Sequence, residues 1–287
     1  MPIKFSVIVP ALNEQDTITK TISDLKNYLH QNFFDSSEII VVNDGSIDKT
    51  KEIISKIEGI KIINHPYNKG YGASIKSGAA ASEMDWILAF DSDGQHRVED
   101  IKRLIDAGQN YDMVVGARQT YKGPLIRQPG KKALHWVAEY LVEQKIPDLN
   151  SGLRLVKKDL YLKYRHLLPN GFSWTTTITL AFFKDCLNVN YVPIEINKRQ
   201  GGKSTVKVSD AGKTLMLILR IIMLFSPLKI FLPASLVLFT LSLIEMVISA
   251  ISFNVSKSAV VLFLSTILIF FFGLLADQIS AIRREIK

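Results

Sequence analysis

The sequence predicts an α/β domain with a mostly parallel sheet and helices on both faces, followed by a C-terminal two-helix transmembrane hairpin. Three observations carry this. Strand-like and helix-like segments alternate through roughly the first 200 residues. The polar clusters Asn13-Glu14, Asn43-Asp44, Asp91-Asp93 and Arg118 each follow a strand-like run, and parallel sheets bind ligands at the carboxyl ends of their strands. Two long apolar stretches lie toward the other end of the chain.

The elements follow in order. "FSVIV", Phe5 to Val9, reads as a buried strand. "EQDTITKTISDLKNYLHQ" has helical spacing, with Ile18, Ile22, Leu25 and Leu29 on one face. "EIIVV" is a second strand, ending at Asn43-Asp44-Gly45, and "SIDKTKEIISKI" is a helix opened by a serine cap. "IKIIN" is a third strand. "GYGASIKSGAAAS" is a small-residue helix suited to close packing on a sheet, in which Gly70 and Gly72 can serve helix entry alone. "WILAF" and "DMVVGAR" are the fourth and fifth strands. Trp136, Tyr140 and Leu141 form an apolar stripe suited either to a core or to lipid. Cys186, the single cysteine, cannot form an internal disulfide; it reads as a small core residue in a reducing compartment.

From Ile230 to Ser252 the chain is almost wholly apolar. As a helix this stretch is roughly 35 Å long, enough to cross a hydrocarbon core of about 30 Å. A second stretch runs from Ala259 to Ala276 and on to Ile282, after the short polar link "FNVSKS". The alternative is a pair of buried core helices, but neither stretch has a polar face. The expected organisation is a domain over 1–205, a basic juxtamembrane segment over 206–228 and the spans over 229–287, at about 230–252 and 259–282. "KTLMLILRIIMLF", interrupted by Arg220, is too short to span; it reads as an interfacial helix or as a soluble helix packed on the domain. Lys229 precedes the first span and Arg283, Arg284 and Lys287 follow the second, against Lys257 alone in the link. The positive-inside rule then puts both outer ends in the cytoplasm. No secretory signal is expected in "MPIKFSVIVPALNE".

The formal charge of +8 fits a nucleic acid, a membrane surface or an anionic substrate. The basic excess sits beside the apolar spans, so lipid is the expected partner and nucleic acid is not. The 47% hydrophobic content is high for a purely soluble protein.

Asp91 and Asp93, one residue apart after an apolar run, are the sharpest feature. Two carboxylates at a strand end can share Mg²⁺ or Mn²⁺, with substrate phosphates completing the shell; alone, the pair is equally a polar turn. Asp44 follows its strand as an acidic residue does when it accepts hydrogen bonds from a ribose or base. His96 reads as a solvated turn residue. The glycine-rich dinucleotide and phosphate loops are both missing.

Taken in order, "VIVPALNE", "VVNDGSID", "NKGYGASIKSG" and "AFDSDGQH" resemble the motifs of family 2 glycosyltransferases with the GT-A fold, a Rossmann-like architecture. "VVGAR", "DLNSGLRLVKKD" and "VPIEINKRQGGKS", followed by two spans, are similar to the polyprenyl-phosphate glycosyltransferases, among them dolichyl-phosphate mannose synthases. The resemblance implies a nucleotide-sugar donor, a polyprenyl-phosphate acceptor and a divalent cation. It puts Pro10, Ala11, Asn13, Glu14 and Asp44 at the nucleoside, and Asp91, Ser92, Asp93 and Gln95 at the metal and diphosphate. It puts Arg118 near the acceptor phosphate, with Arg127, Lys131 or Lys132 in "LIRQPGKK" as a second contact, and Arg199 and Ser204 in a loop over the diphosphate. Ser151, Gly152 and Arg154 match a further motif in which Leu153 replaces an aromatic. Arg118 and Arg154 could instead pair with surface acids. "TTTITLAF" stands where many relatives have a glutamate, which leaves the sugar open.

The reaction implied is inverting transfer of a sugar to a polyprenyl phosphate. The rivals are a transferase with a hydroxyl acceptor, which needs a general base, a processive synthase, which needs more spans, and an inactive membrane scaffold. A homo-oligomer could form through exposed span faces.

Overall fold

In the computed structural model, residues 3–118, 128–171, 173–197, 211–252 and 256–285 are described, apart from the side chains of 128–129, 131, 211–215 and 284–285. Strands β1 (Phe5–Ala11), β2 (Ser37–Asn43), β3 (Lys61–Asn64), β4 (Trp86–Ala89), β5 (Met113–Arg118), β6 (Arg154–Lys157) and β7 (Val189–Ile194) form one sheet in the order β3-β2-β1-β4-β6-β5-β7. Only β6 runs against the others. The five strands expected from the sequence are all present, and the sheet is mostly parallel as the alternation requires.

β6 and β7 carry weak sequence signals for physical reasons. β6 is the short, charged "RLVK", and β7 contains Pro193, which cannot donate to a ladder. β7 pairs with β5 alone, at the edge of the sheet, where a proline is tolerated. β1 is buried at every position because it lies between β2 and β4.

Helices α1 (Ile18–Asn32), α2 (Thr50–Ser55), α3 (Tyr71–Ala81) and α4 (Asp100–Gly108) connect the first five strands. Ile18, Ile22, Leu25 and Leu29 of α1 are all buried in one core with Val7, Val9, Val41 and Leu88. α3 approaches the sheet closely: a Cβ on Gly78 would collide with Ile8. Gly70, at φ 104°, and Gly72 do more than open α3, because side chains there would strike the backbone of Pro169, Asn170 and Gly171. The serine cap of α2 is not formed. Asp48 Oδ1 accepts from Thr50 N–H at 2.9 Å instead, and Ser46 Oγ accepts from Asn13 N–H.

Helices α5 (Gln128–Val142), α6 (Lys158–Tyr164) and α7 (Trp174–Lys184) complete the first part of the chain. Cys186 is not a core residue. It is exposed at φ 55°, just past α7, where the helix has ended and the side chain is turned outward.

The chain divides into two compact units, one of residues 1–135 with 144–210, the other of residues 136–143 with 211–287. The second contains α8 (Ala211–Phe225), α9 (Leu228–Ile251) and α10 (Lys257–Glu285). α9 and α10 are long and apolar enough to cross a membrane, and within their most apolar windows only 11% and 22% of residues are buried. Such exposure does not suit core helices of a soluble domain. α10 packs on α9 where Gly273 meets Phe231, and Ser242 donates to the Ala259 carbonyl at 3.3 Å. Glu245 faces the partner helix: its Oε2 accepts from Ser256 and Ser258 at 3.3 and 3.2 Å. Lys229 closes the end of α5, donating to the carbonyls of Tyr140 and Leu141 and pairing with Glu143. Of the apolar stripe on α5, Leu141 is buried, whereas Trp136 and Tyr140 are exposed and stacked at 5.8 Å.

Candidate active site

The parallel register of β2, β1 and β4 aligns their carboxyl ends: Ala11 pairs with Asn43, and Ile8 with Ala89. The loops after β1 and β4 therefore open beside each other at the point where the strand order reverses, which is where open α/β sheets bind ligands. The antiparallel β6 begins at the same edge, with Arg154 opposite Ala89.

Asp91 and Asp93 lie on the loop after β4 in different surroundings. Asp91 Oδ1 accepts from the Tyr71 hydroxyl at 2.6 Å, and Oδ2 lies 3.0 Å from His96 Nε2. His96 is thus no solvated turn residue; it is buried, edge-on to Phe90 at 5.6 Å. Burial works against the Asp91 charge, but the bonds from His96 and Tyr71, together with nearby Arg118, hold it below the usual carboxylate range. Burial and the adjacent Asp91 push the Tyr71 hydroxyl well above its usual range, so it stays a donor.

Asp93 Oδ1 accepts from Gln95 N–H at 3.1 Å across Gly94, which sits at φ 74°. Among the described residues no group of three or more His, Cys, Asp and Glu side chains is arranged to hold a metal. The oxygens of Asp93 and Gln95 are nevertheless hard donors. A set this sparse suits Mg²⁺ or Mn²⁺ only when a phosphate ligand supplies further oxygens.

The residues expected at a nucleoside lie at the ends of β1 and β2 and on the loop after β1. Pro10 and Ala11 are buried at the end of β1, and Ser92 Oγ donates to the Pro10 carbonyl at 2.8 Å. Asn13, at φ 55°, accepts from Ile47 N–H and binds the loop after β1 to that after β2. Glu14 accepts from the Thr17 hydroxyl at 2.9 Å at the entry to α1. Asp44 is buried, and its carboxylate meets His65 Nδ1 at 2.7 Å and the N–H groups of Lys69 and Gly70 at 2.9 and 2.8 Å. Three protein donors therefore hold the carboxylate that was expected to accept from a ribose or base.

Arg118, at the end of β5, forms a two-pronged pair with Asp148, at 2.7 Å through Nε and 2.9 Å through Nη2. Burial opposes the Asp148 charge, and Arg118 outweighs it, holding the carboxyl below its usual range. Among the described residues Arg154 pairs with no surface acid. It is fully buried, donating to the carbonyls of Ser151 and Leu149 and to the Thr179 hydroxyl, and burial pushes its pKa down to about 10. Thr175, Thr176 and Thr177, in the "TTT" run, are buried in α7. Arg127, Arg199, Ser204 and the Lys131 side chain lie outside the described residues.

Sequence reasoning passed over Tyr71 and Asp148 and read His96 as a turn residue. All three stand inside the quoted motifs. The polar partners of Tyr71, His96 and Asp148 are 20, 5 and 30 positions away, so no local pattern signals them.

Residues 6–162 match the family model for glycosyl transferase family 2. The chain belongs to glycosyltransferase family 2. This family-2 match carries β1 to β6 and the acidic loop just described, and it is followed by a match to the GtrB C-terminal hairpin over residues 226–282, which covers α9 and most of α10. An uncharacterised protein of Methanocaldococcus jannaschii is 34% identical over 200 residues, covering 66% of this chain and 79% of that one. The UDP-N-acetylglucosamine–dolichyl-phosphate N-acetylglucosaminyltransferase of Methanococcus voltae is 29% identical over 216 residues, covering 66% of this chain and 84% of that one. Among solved structures, glucosyl-3-phosphoglycerate synthase from Mycobacterium tuberculosis, crystallised with Mn²⁺, UDP and phosphoglyceric acid, superposes with a TM-score of 0.60 at 20% identity. It covers 77% of this chain and 78% of that one, and shows that the family-2 domain has the GT-A fold.

Proposed function

We propose that this glycosyltransferase is membrane-bound and moves a sugar, with inversion, from a nucleotide-sugar to a polyprenyl phosphate at the cytoplasmic face. The observation that carries the reading is the pairing, in one chain, of an acidic loop at the switch point of a family-2 domain with a GtrB-type hairpin. The dolichyl-phosphate acceptor named for the Methanococcus voltae relative supports it.

Asp93 and Gln95 are the residues that would hold a divalent cation, Mg²⁺ or Mn²⁺, together with the donor diphosphate. When bound, that cation neutralises charge on the departing nucleoside diphosphate. Asp91 faces the donor beside it, kept ionised by Tyr71 and His96. Arg118, set in plane by Asp148, presents its guanidinium to the acceptor phosphate. Arg127 or Lys131 is assigned the second positive charge there, and Arg199 and Ser204 are assigned to the diphosphate. An acceptor phosphate oxygen attacks the anomeric carbon; the new C–O bond forms as the bond to the diphosphate breaks. The phosphate is already ionised near neutral pH, so no side chain has to take a proton from it.

The test is incubation of the purified full-length protein with labelled nucleotide-sugars, UDP-sugars first, and dolichyl or undecaprenyl phosphate, followed by extraction of the lipid. A sugar-phosphate lipid is the expected product. A pH–rate profile with no essential base between about pH 6.5 and 8.5 separates this reaction from transfer to a hydroxyl. No lipid product with any donor, or a steep base-dependent limb, rejects the proposal.

A further inference from the structure

The Asp91 carboxylate is enclosed on three sides by groups from three separate elements. Tyr71, in the first turn of α3, donates to Oδ1 at 2.6 Å. His96, on the loop after β4, meets Oδ2 at 3.0 Å. The third side is Gly152, before β6, where a Cβ would lie 2.7 Å from Oδ2 and 3.0 Å from the Tyr71 hydroxyl. The two hydrogen-bonding partners are themselves locked. The Tyr71 ring lies 6.1 Å from Trp174, and the His96 ring stands edge-on to Phe90 at 5.6 Å with a side chain only 4% exposed.

The imidazole of His96 makes no other hydrogen bond among the described residues. Nε2 serves Asp91, and Nδ1 is buried with no hydrogen-bond partner. A buried ring nitrogen without a partner costs free energy, and the bond from Nε2 to the Asp91 carboxylate is what the imidazole provides against that cost. What the imidazole supplies is direction: it fixes one oxygen of a carboxylate whose other oxygen is fixed by Tyr71.

We propose that Tyr71 and His96 are positioning residues for donor transfer, holding Asp91 in one rotamer toward the nucleotide-sugar and leaving Asp93 to the cation. The inference rests on the donor-site reading above. A freely rotating Asp91 would have to be ordered in each turnover, and this clamp orders it in advance. Groups that orient functional ligands in this way typically change activity by about 10–100-fold when removed.

The experiment compares wild type, Tyr71→Phe, His96→Leu, His96→Gln and Asp91→Asn as full-length proteins, with the donor and polyprenyl phosphate that give product in the assay above. Turnover is expected to fall about 10–100-fold in Tyr71→Phe and His96→Leu, with the acceptor KM unchanged. His96→Gln, whose amide can donate where Nε2 did, should recover most of the loss. The thermal midpoint of His96→Gln should stay at that of wild type, and the turnover lost in His96→Leu should exceed what any fall in its midpoint accounts for. Unchanged turnover in Tyr71→Phe and His96→Leu, glutamine no better than leucine, or losses that track a falling midpoint would each overturn the proposal. Asp91→Asn separates the two levels. Full turnover there removes the donor-site reading itself, whereas loss there with full turnover in the other variants removes only the positioning.

Discussion

Asp91 and Asp93 are two positions apart and meet opposite demands. Asp91 is occupied by Tyr71 and His96, while Asp93 lies one step farther along the loop, held by its own turn through Gln95 N–H. Asp93→Asn should therefore leave the fold intact and abolish transfer. Excess chelator should do the same to the wild type, and both are read as lipid product against an unchanged thermal midpoint. At Asp148 the expectation concerns acid. Its folded pKa lies below the unfolded value, so its contribution to stability is present above the usual carboxylate range and is lost as pH falls through the folded pKa. Thermal midpoints taken from about pH 7 down to 3 should fall more steeply for wild type than for Asp148→Asn, which has no carboxylate to protonate. Parallel curves would show that the pair with Arg118 contributes little.

Among elements, the contact between β4 and β6 decides the site. Their antiparallel register pairs Ala89 with Arg154, and continued two residues outward it brings Asp91 opposite Gly152. The glycine is needed there for space, since its φ is not in the left-handed region and its Cβ would meet the carboxylate. Gly152→Ala should displace Asp91 and cut turnover by about 10-fold or more, as small displacements of reacting groups do, while α7 and the sheet remain folded by circular dichroism. Buried Arg154 anchors the same turn from below through the carbonyls of Leu149 and Ser151. Its planar fork reaches three acceptors from three separate nitrogens, a spread that the single nitrogen of a lysine lacks.

For the whole molecule, the open question is which side of the membrane each end occupies. The excess of lysine and arginine outside the hairpin predicts that both outer ends are cytoplasmic and that residues 254–258 lie on the far side. Because Cys186 is exposed, the test needs a Cys186→Ser background. Single cysteines at Ser256 and at Lys287 should then label from opposite sides of sealed vesicles; labelling of both from one side would reject the hairpin topology.

Much of this could be read from local pattern. The strands from Phe5 to Arg118 and the buried face of α1 follow from side-chain patterning, because each element buries its own apolar face, and the two apolar spans follow from their length and uniform composition. Asp91 and Asp93 were visible as carboxylates ending an apolar run. What periodicity could not supply was partnership across the fold. The sequence cannot show that Asp44 is held by His65 and the turn into α3, that Arg118 meets Asp148, or that His96 turns inward to Asp91. Nor could it show that Cys186 points outward or that Asp48, not Ser46, accepts from the first N–H of α2. A polar side chain takes whichever partner the packed elements bring within about 3 Å. That distance is set by strand order and register, such as β6 running against β4 to lay Gly152 on Asp91, and these exist only once the sheet has formed.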